Sequence, residues 1–195
     1  MFLTGWAMSI ASVFLADIHA TLEGKQTIWQ AGEAGYLMFG GPQLVVTTNG
    51  TLLSITEGRK GSTGDESGAH DIVLKRSFDS GETWGPVQLV HSESKPGHGV
   101  IIGNGAAVVD KRTGTIWLVM CRNNTFVLMT SSSDHGGTWA VPSDITRDVK
   151  PASWGWYATT FNGIQLAHGP KAGRLLICCD HVDNQWKPYP ITNGV

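Results

Sequence analysis

SFDSGETW at residues 77–84 recurs as SSDHGGTW at 132–139, and the shared Ser-x-Asp-x-Gly-x-Thr-Trp frame sets carboxylates and hydroxyls at fixed spacing. Asp79 and Asp134 could exchange protons, so the octapeptide either performs acid–base chemistry or shapes backbone. Each residue type has a turn role. Ser77 and Asp79, like Ser132 and Asp134, are short polar side chains suited to bonding the backbone that follows them. Gly81 and Gly136 admit a positive φ, and Trp84 and Trp139 can fold back between strands. The octapeptide therefore reads as a turn device and not as a reaction centre. Other reactive side chains cluster no better. Cys121, Cys178 and Cys179 lack metal-ligand spacing and are expected as small buried hydrophobes on strands. Asp180-His181-Val182-Asp183 is a weak ligand set with no His-x-x-x-His pair beside it, so neither a metal nor a cofactor is expected.

The segments around these turns point to short strands. The chain has 195 residues, 41% hydrophobic and 15% charged, with 25 glycines and 8 tryptophans, which suits many strands and tight turns. It is long enough for one well-buried core. A net charge of −2 and no Lys/Arg-rich run exclude a nucleic-acid partner. GTLLSI at 50–55, GTIWLV at 114–119 and GRLLIC at 173–178 each open with glycine and continue as an apolar run, spaced by roughly 60 residues. DIVLKRS at 71–77, the first octapeptide and PVQLV at 86–90 follow the first run; FVLMTSS at 126–132, the second octapeptide and VPSDI at 141–145 follow the second. The expected unit is strand, strand, tight turn, strand. Such a unit cannot bury both faces of its small sheet alone, so neighbours must stack face to face, as blades of a β-propeller do.

The two octapeptides are Asp-boxes, and with the stretch ahead of the first the chain resembles the sialidase (neuraminidase) superfamily. TEGRKGSTGDESGAHDIVLKRSFDSGETW at 56–84 is similar to the Glu-Gly-Arg segment and following acidic loop of exo-α-sialidases. The stretches 101–124 and 154–181 look like the next two blades. The resemblance implies an all-β, six-bladed β-propeller of which residues 21–181 form about three blades, with 182–195 a divergent tail. It implies an exo-α-sialidase, a glycoside hydrolase acting on sialylated glycoconjugates. That family uses three arginines, an aspartic acid, and a tyrosine paired with a glutamate, among the tyrosine-nucleophile exceptions to two-carboxylate glycosidases. Carried over residue by residue, the sugar-contacting arginine falls on Arg59 and the acid/base aspartate on Asp65, with Asp71 as rival. Asn104 falls near the N-acetyl pocket and Tyr157 on a cleft-lining segment. The plainer alternatives are an ion pair of Arg59 with Glu57 or Glu66, a turn role for Asn104, and core packing for Tyr157.

Two departures bear on activity. The family's first triad arginine sits in a Tyr-Arg-Ile-Pro motif just ahead of the first blade strand, where this sequence has Phe39-Gly40-Gly41-Pro42. The segments carrying the nucleophilic tyrosine, its glutamate and the other two arginines have no counterpart in these 195 residues. The expected consequence is that this chain alone is inactive, being either a fragment or a half that pairs with a second propeller half or self-associates, and the alternative function is a non-catalytic glycan- or protein-binding propeller fragment. Residues 1–20 are apolar over Met1 to Ala16 and read as a signal peptide or a first strand. The first option implies a secreted or lysosomal protein and the second a cytoplasmic one. No transmembrane span is expected.

Overall fold

The computed structural model describes residues 26–95 and 98–183. The N-terminal segment 1–20 and the tail beyond Asp183 lie outside the described residues, while Val182 and Asp183 still belong to a strand. Among the described residues ten strands form three antiparallel sheets. The first contains β1 (Met38–Val46), β2 (Leu52–Lys60), β3 (Ala69–Ser77) and β4 (Gln88–His91) in sequential order. The second repeats that order with β5 (Ile102–Val109), β6 (Ile116–Arg122), β7 (Phe126–Ser132) and β8 (Ser143–Asp144). The third pairs β9 (Trp154–Gln165) with β10 (Leu175–Asp183). The short helix α1 (Thr146–Val149) leads from the second sheet to the third.

The glycine-led runs are the second strand of each sheet. Gly50, Gly114 and Gly173 sit in the preceding turns at φ 90°, 77° and 88°, a region that glycine enters without steric cost. In the first two turns the glycine N–H closes the backbone, Gly50 N–H donating three residues back to Thr47 O and Gly114 N–H four residues back to Asp110 O. Each complete sheet therefore has one strand more than the expected unit, and that strand lies upstream of the glycine. Its sequence hides it: MFGGPQLVV and IGNGAAVV are rich in glycine, and pairing slips between Gly40 and Gln43 and between Gly103 and Ala106. Phe39 to Pro42 thus lies within the first strand and not ahead of it.

The sheets stack through side chains that alternate along each strand. Leu53 and Ile55 of β2, with Ile72 and Leu74 of β3, pack against Ile116, Leu118 and Met120 of β6. The intervening Val119 and Cys121 point the other way, into a second cluster with Val127 and Tyr157, joined by Trp154 and Ile177 of the third sheet. The middle sheet is therefore buried on both faces. The outer face of the first sheet is covered by residues 26–37: Trp29 Nε1 donates to Ser54 Oγ at 2.8 Å, and Lys75 Nζ donates to Ile28 O at 2.8 Å and pairs with Glu33. The third sheet leaves Ile164 59% and Leu176 41% exposed. Cys121 is buried, as expected, and its thiol is pushed up to about 12 by burial. Cys178 and Cys179 are exposed instead, because β10 has a paired neighbour on one side only among the described residues.

Both octapeptides join the third strand of a sheet to the fourth, and their bonds repeat. Ser77 Oγ donates to Asp79 Oδ1 at 2.7 Å, and Asp79 accepts from the Thr83 N–H at 2.9 Å and the Thr83 hydroxyl at 2.5 Å. Ser132, Asp134 and Thr138 repeat the pattern at 2.8, 2.9 and 2.7 Å. Trp139 packs against the main core. Gly136, at φ 79°, approaches so closely that a Cβ there would stand 3.0 Å from Leu53 of the neighbouring sheet. The second box is thus both a turn and an inter-sheet contact.

These bonds hold the carboxyls of Asp79 and Asp134 down at about 2, chiefly through the Thr83 and Thr138 donors. A depressed carboxyl contributes its stability above the ordinary value near 4 and loses it as pH falls toward 2. Thermal melts from pH 5 to pH 2 should therefore fall less steeply for Asp134→Ala than for the unmodified chain, although the variant starts lower. Gly136→Ala combines strained backbone with the Leu53 contact and should cost about 1–3 kcal/mol. In a chain of this size that lowers Tm by about 2–4 °C per kcal/mol, readable by calorimetry.

Candidate functional site

The first strands of the three sheets, β1, β5 and β9, lie side by side and line a cavity of about 650 Å³. Polar side chains stitch them together. Gln43 donates to Gly105 O at 2.5 Å and accepts from the Ala107 N–H at 2.9 Å, and Asn162 Nδ2 donates to Leu44 O at 2.5 Å. The Thr159 hydroxyl donates to Asn104 O. Without such partners the backbone groups freed by the bulges would be buried unsatisfied.

Glu57 stands at one wall of this cavity. It is two residues from Arg59 on β2, so both side chains leave the same face, toward the second sheet. Glu57 Oε1 accepts the Asn104 N–H at 2.6 Å, while Oε2 lies 3.3 Å from Arg59 Nη2 and 3.5 Å from His70 Nδ1. Burial by itself would raise this carboxyl; the His70 contact, the Asn104 N–H and the Arg59 charge outweigh it and hold Glu57 below the usual glutamate range. Asn104 takes a left-handed φ of 50°, and its side chain donates to Asn124 Oδ1 at 2.7 Å.

Arg59 is buried along its length. Its Nη1 donates to Thr63 O at 3.0 Å, and Nη2 pairs with Glu57 and with Asp65 Oδ1. Asp65 itself is 80% exposed on the loop 61–68. The guanidinium is therefore held between an inner and an outer carboxylate, the inner one being the ion pair that the plainer sequence reading anticipates. The face of the guanidinium rests on Gly40, where an added Cβ would stand 2.6 Å from Nη2. Gly40 pairs with Glu57 across β1 and β2, so this position is part of the site even without a side chain.

Asp71 occupies different surroundings. It pairs with Gly58 where His70 pairs with Arg59, which sends the Asp71 side chain to the opposite face of the sheet. There Oδ2 accepts from the Tyr36 hydroxyl at 2.8 Å and Lys60 Nζ at 2.6 Å. Burial, then the bond to Asp71, holds the Tyr36 phenol far above the usual tyrosine range. Tyr157 is buried in the second core cluster, its N–H donating to Asn124 O at 2.8 Å, and it does not line the cavity; Thr159, two residues along β9, does. Arg59, Asp65 and Asn104 are thus joined through Glu57, while Tyr157 stands apart. Sequence reasoning placed Glu57 only as an ion-pair partner and passed over His70, Gln43, Thr159 and Asn162. The spacing of Glu57 and Arg59 in a strand was the available signal; the axial polar residues carry none. Among the described residues no three His, Cys, Asp or Glu side chains are placed to hold a metal ion.

What the arrangement offers is a buried cation with one exposed carboxylate, tied through Glu57 to the wall of the cavity. A guanidinium so placed can meet an anionic or hydroxylated ligand once Asp65 swings aside, and Asp65 can exchange protons with it.

A sialidase of Micromonospora viridifaciens is 34% identical over 192 residues, covering 87% of this chain and 29% of the relative. The solved structure of a Hadza microbial sialidase, 27% identical, superposes with a TM-score of 0.73 over 80% of this chain and 34% of its own. A leech intramolecular trans-sialidase, 16% identical, has a TM-score of 0.72 over 91% of this chain and 45% of its own, which speaks for the fold alone. The chain thus spans about a third of the length of the first two. The BNR repeat-like domain family matches residues 50–191. A match over that much of 195 residues places the chain in the BNR repeat-like domain family, as a sialidase-type member.

Proposed function

We propose that this chain provides the acid/base wall of an exo-α-sialidase site, within a six-bladed propeller of which it forms about three blades, and that its ligand is a terminal sialic acid on a glycoconjugate. The observation that carries the reading is the Glu57–Arg59–Asp65 cluster at the rim of the axial cavity, tied to Asn104 of the next sheet. In this scheme Arg59 meets polar groups of the sugar and Asp65, released from it, gives its proton to the leaving oxygen. Asn104 flanks the N-acetyl side, and Tyr157 supports it from behind, through Asn124. The remaining cations and the nucleophile belong to the other half of the propeller.

A second reading, a glycan-binding propeller without turnover, is favoured by Gly40. The guanidinium of Arg59 rests where a side chain at that position would stand, so no second cation projects from β1 beside it. Binding then relies on Arg59 alone.

Two measurements separate these. Titration with a sialoside should show binding, and Arg59→Met should weaken it by about 2 kcal/mol or more, roughly thirty-fold in Kd. Asp65→Asn should keep binding within a few-fold and abolish turnover of a fluorogenic sialoside. Binding without turnover in the unmodified chain supports the second reading, and no binding at all overturns both.

A further inference from the structure

One buried titratable side chain has no part in the chemistry so far. His70 is 0% exposed and lies beneath the loop 61–68, on the same face of the first sheet as Glu57 and Arg59. Its Nε2 is 3.2 Å from Gly64 O and 3.1 Å from Ser67 O. Both neighbours are carbonyl acceptors, so Nε2 must carry the proton and donate to them. The two carbonyls bracket Asp65 and Glu66, the residues at the tip of the loop. The other ring nitrogen, Nδ1, has no hydrogen-bond partner and faces Glu57 Oε2 at 3.5 Å.

We propose that His70 is the positioning residue for Asp65: the imidazole fixes the loop from below through Gly64 and Ser67. This rests on the reading of Asp65 as the acid/base. With Nε2 committed as donor, the two loop carbonyls fix the orientation of the ring. The charged groups on the neighbouring elements are engaged elsewhere. Glu57 and Arg59 of β2 neutralise each other, and Asp65 above is paired with Arg59. Asp71, next on β3, is turned to the far face with Lys60 and Tyr36. From the approach to the second sheet, Val100 and Ile101 meet His70 through backbone, the former accepting its N–H at 3.1 Å.

The side-chain length of glutamine lets a carboxamide N–H reach the same carbonyls, so His70→Gln keeps the anchor and His70→Leu removes it. Amide hydrogen exchange over residues 62–67 reports the loop without any ligand. The unmodified chain should protect these amides, His70→Gln should keep the protection, and His70→Leu should exchange about tenfold faster. With a fluorogenic sialoside, kcat should fall in His70→Leu, recover in His70→Gln, and leave KM within a few-fold. Exchange in His70→Leu equal to that of the unmodified chain overturns the proposal; should His70→Leu not fold, His70→Asn, whose shorter amide cannot reach both carbonyls, takes its place, and exchange equal to that of the unmodified chain again overturns it. If the unmodified chain neither binds nor turns over the sialoside, the functional reading fails while the exchange data still decide whether His70 holds the loop.

Discussion

Face-to-face burial of successive sheets is the constraint from which the rest follows. A four-stranded meander has two apolar faces and can cover neither, so each must be closed by something outside it. Between the first and second sheets that closure is the packing of Leu53, Ile55, Ile72 and Leu74 on Ile116, Leu118 and Met120. The second sheet spends its other face on the third, through Val119, Cys121 and Val127. Stacking of this kind brings the first strands together along one line. Their polar side chains then face a shared cavity rather than a core, which is why Gln43, Asn104, Thr159 and Asn162 meet there.

Within that cavity wall the energetics turn on a single buried carboxylate. Glu57 is tolerated because two donors meet it, an amide from the second sheet and the Arg59 guanidinium, with the His70 ring beside them. Removing either donor leaves charge without compensation in a place where water cannot supply it. The same carboxylate links the two sheets, so the integrity of the site and the seating of one sheet on the next are a common matter.

Much of this architecture was legible in the residues. The box turns could be read because Ser, Asp, Gly, Thr and Trp each have one local job, and their bonds fall within four positions of one another. Glycine before the second strands was visible because a left-handed turn permits little else. The first strands were not, since bulges and glycines erase the alternation that marks a strand. Nor could residues 26–37 be foreseen as a cover, because Lys75 meets Glu33 across 42 positions and no local pattern announces the pair. Arg59 and Asp65 came from the family resemblance. The residues that hold them came from geometry alone, since His70 and Gln43 act through backbone carbonyls and amides that have no sequence signature.

The bare Cα of Gly40 couples two positions. Arg59 lies on the space that a Cβ would need, so any side chain at 40 has to displace the guanidinium from its seat between Glu57 and Asp65. The size of residue 40 thereby sets where the Arg59 charge sits, and a change made on one strand is felt on the next.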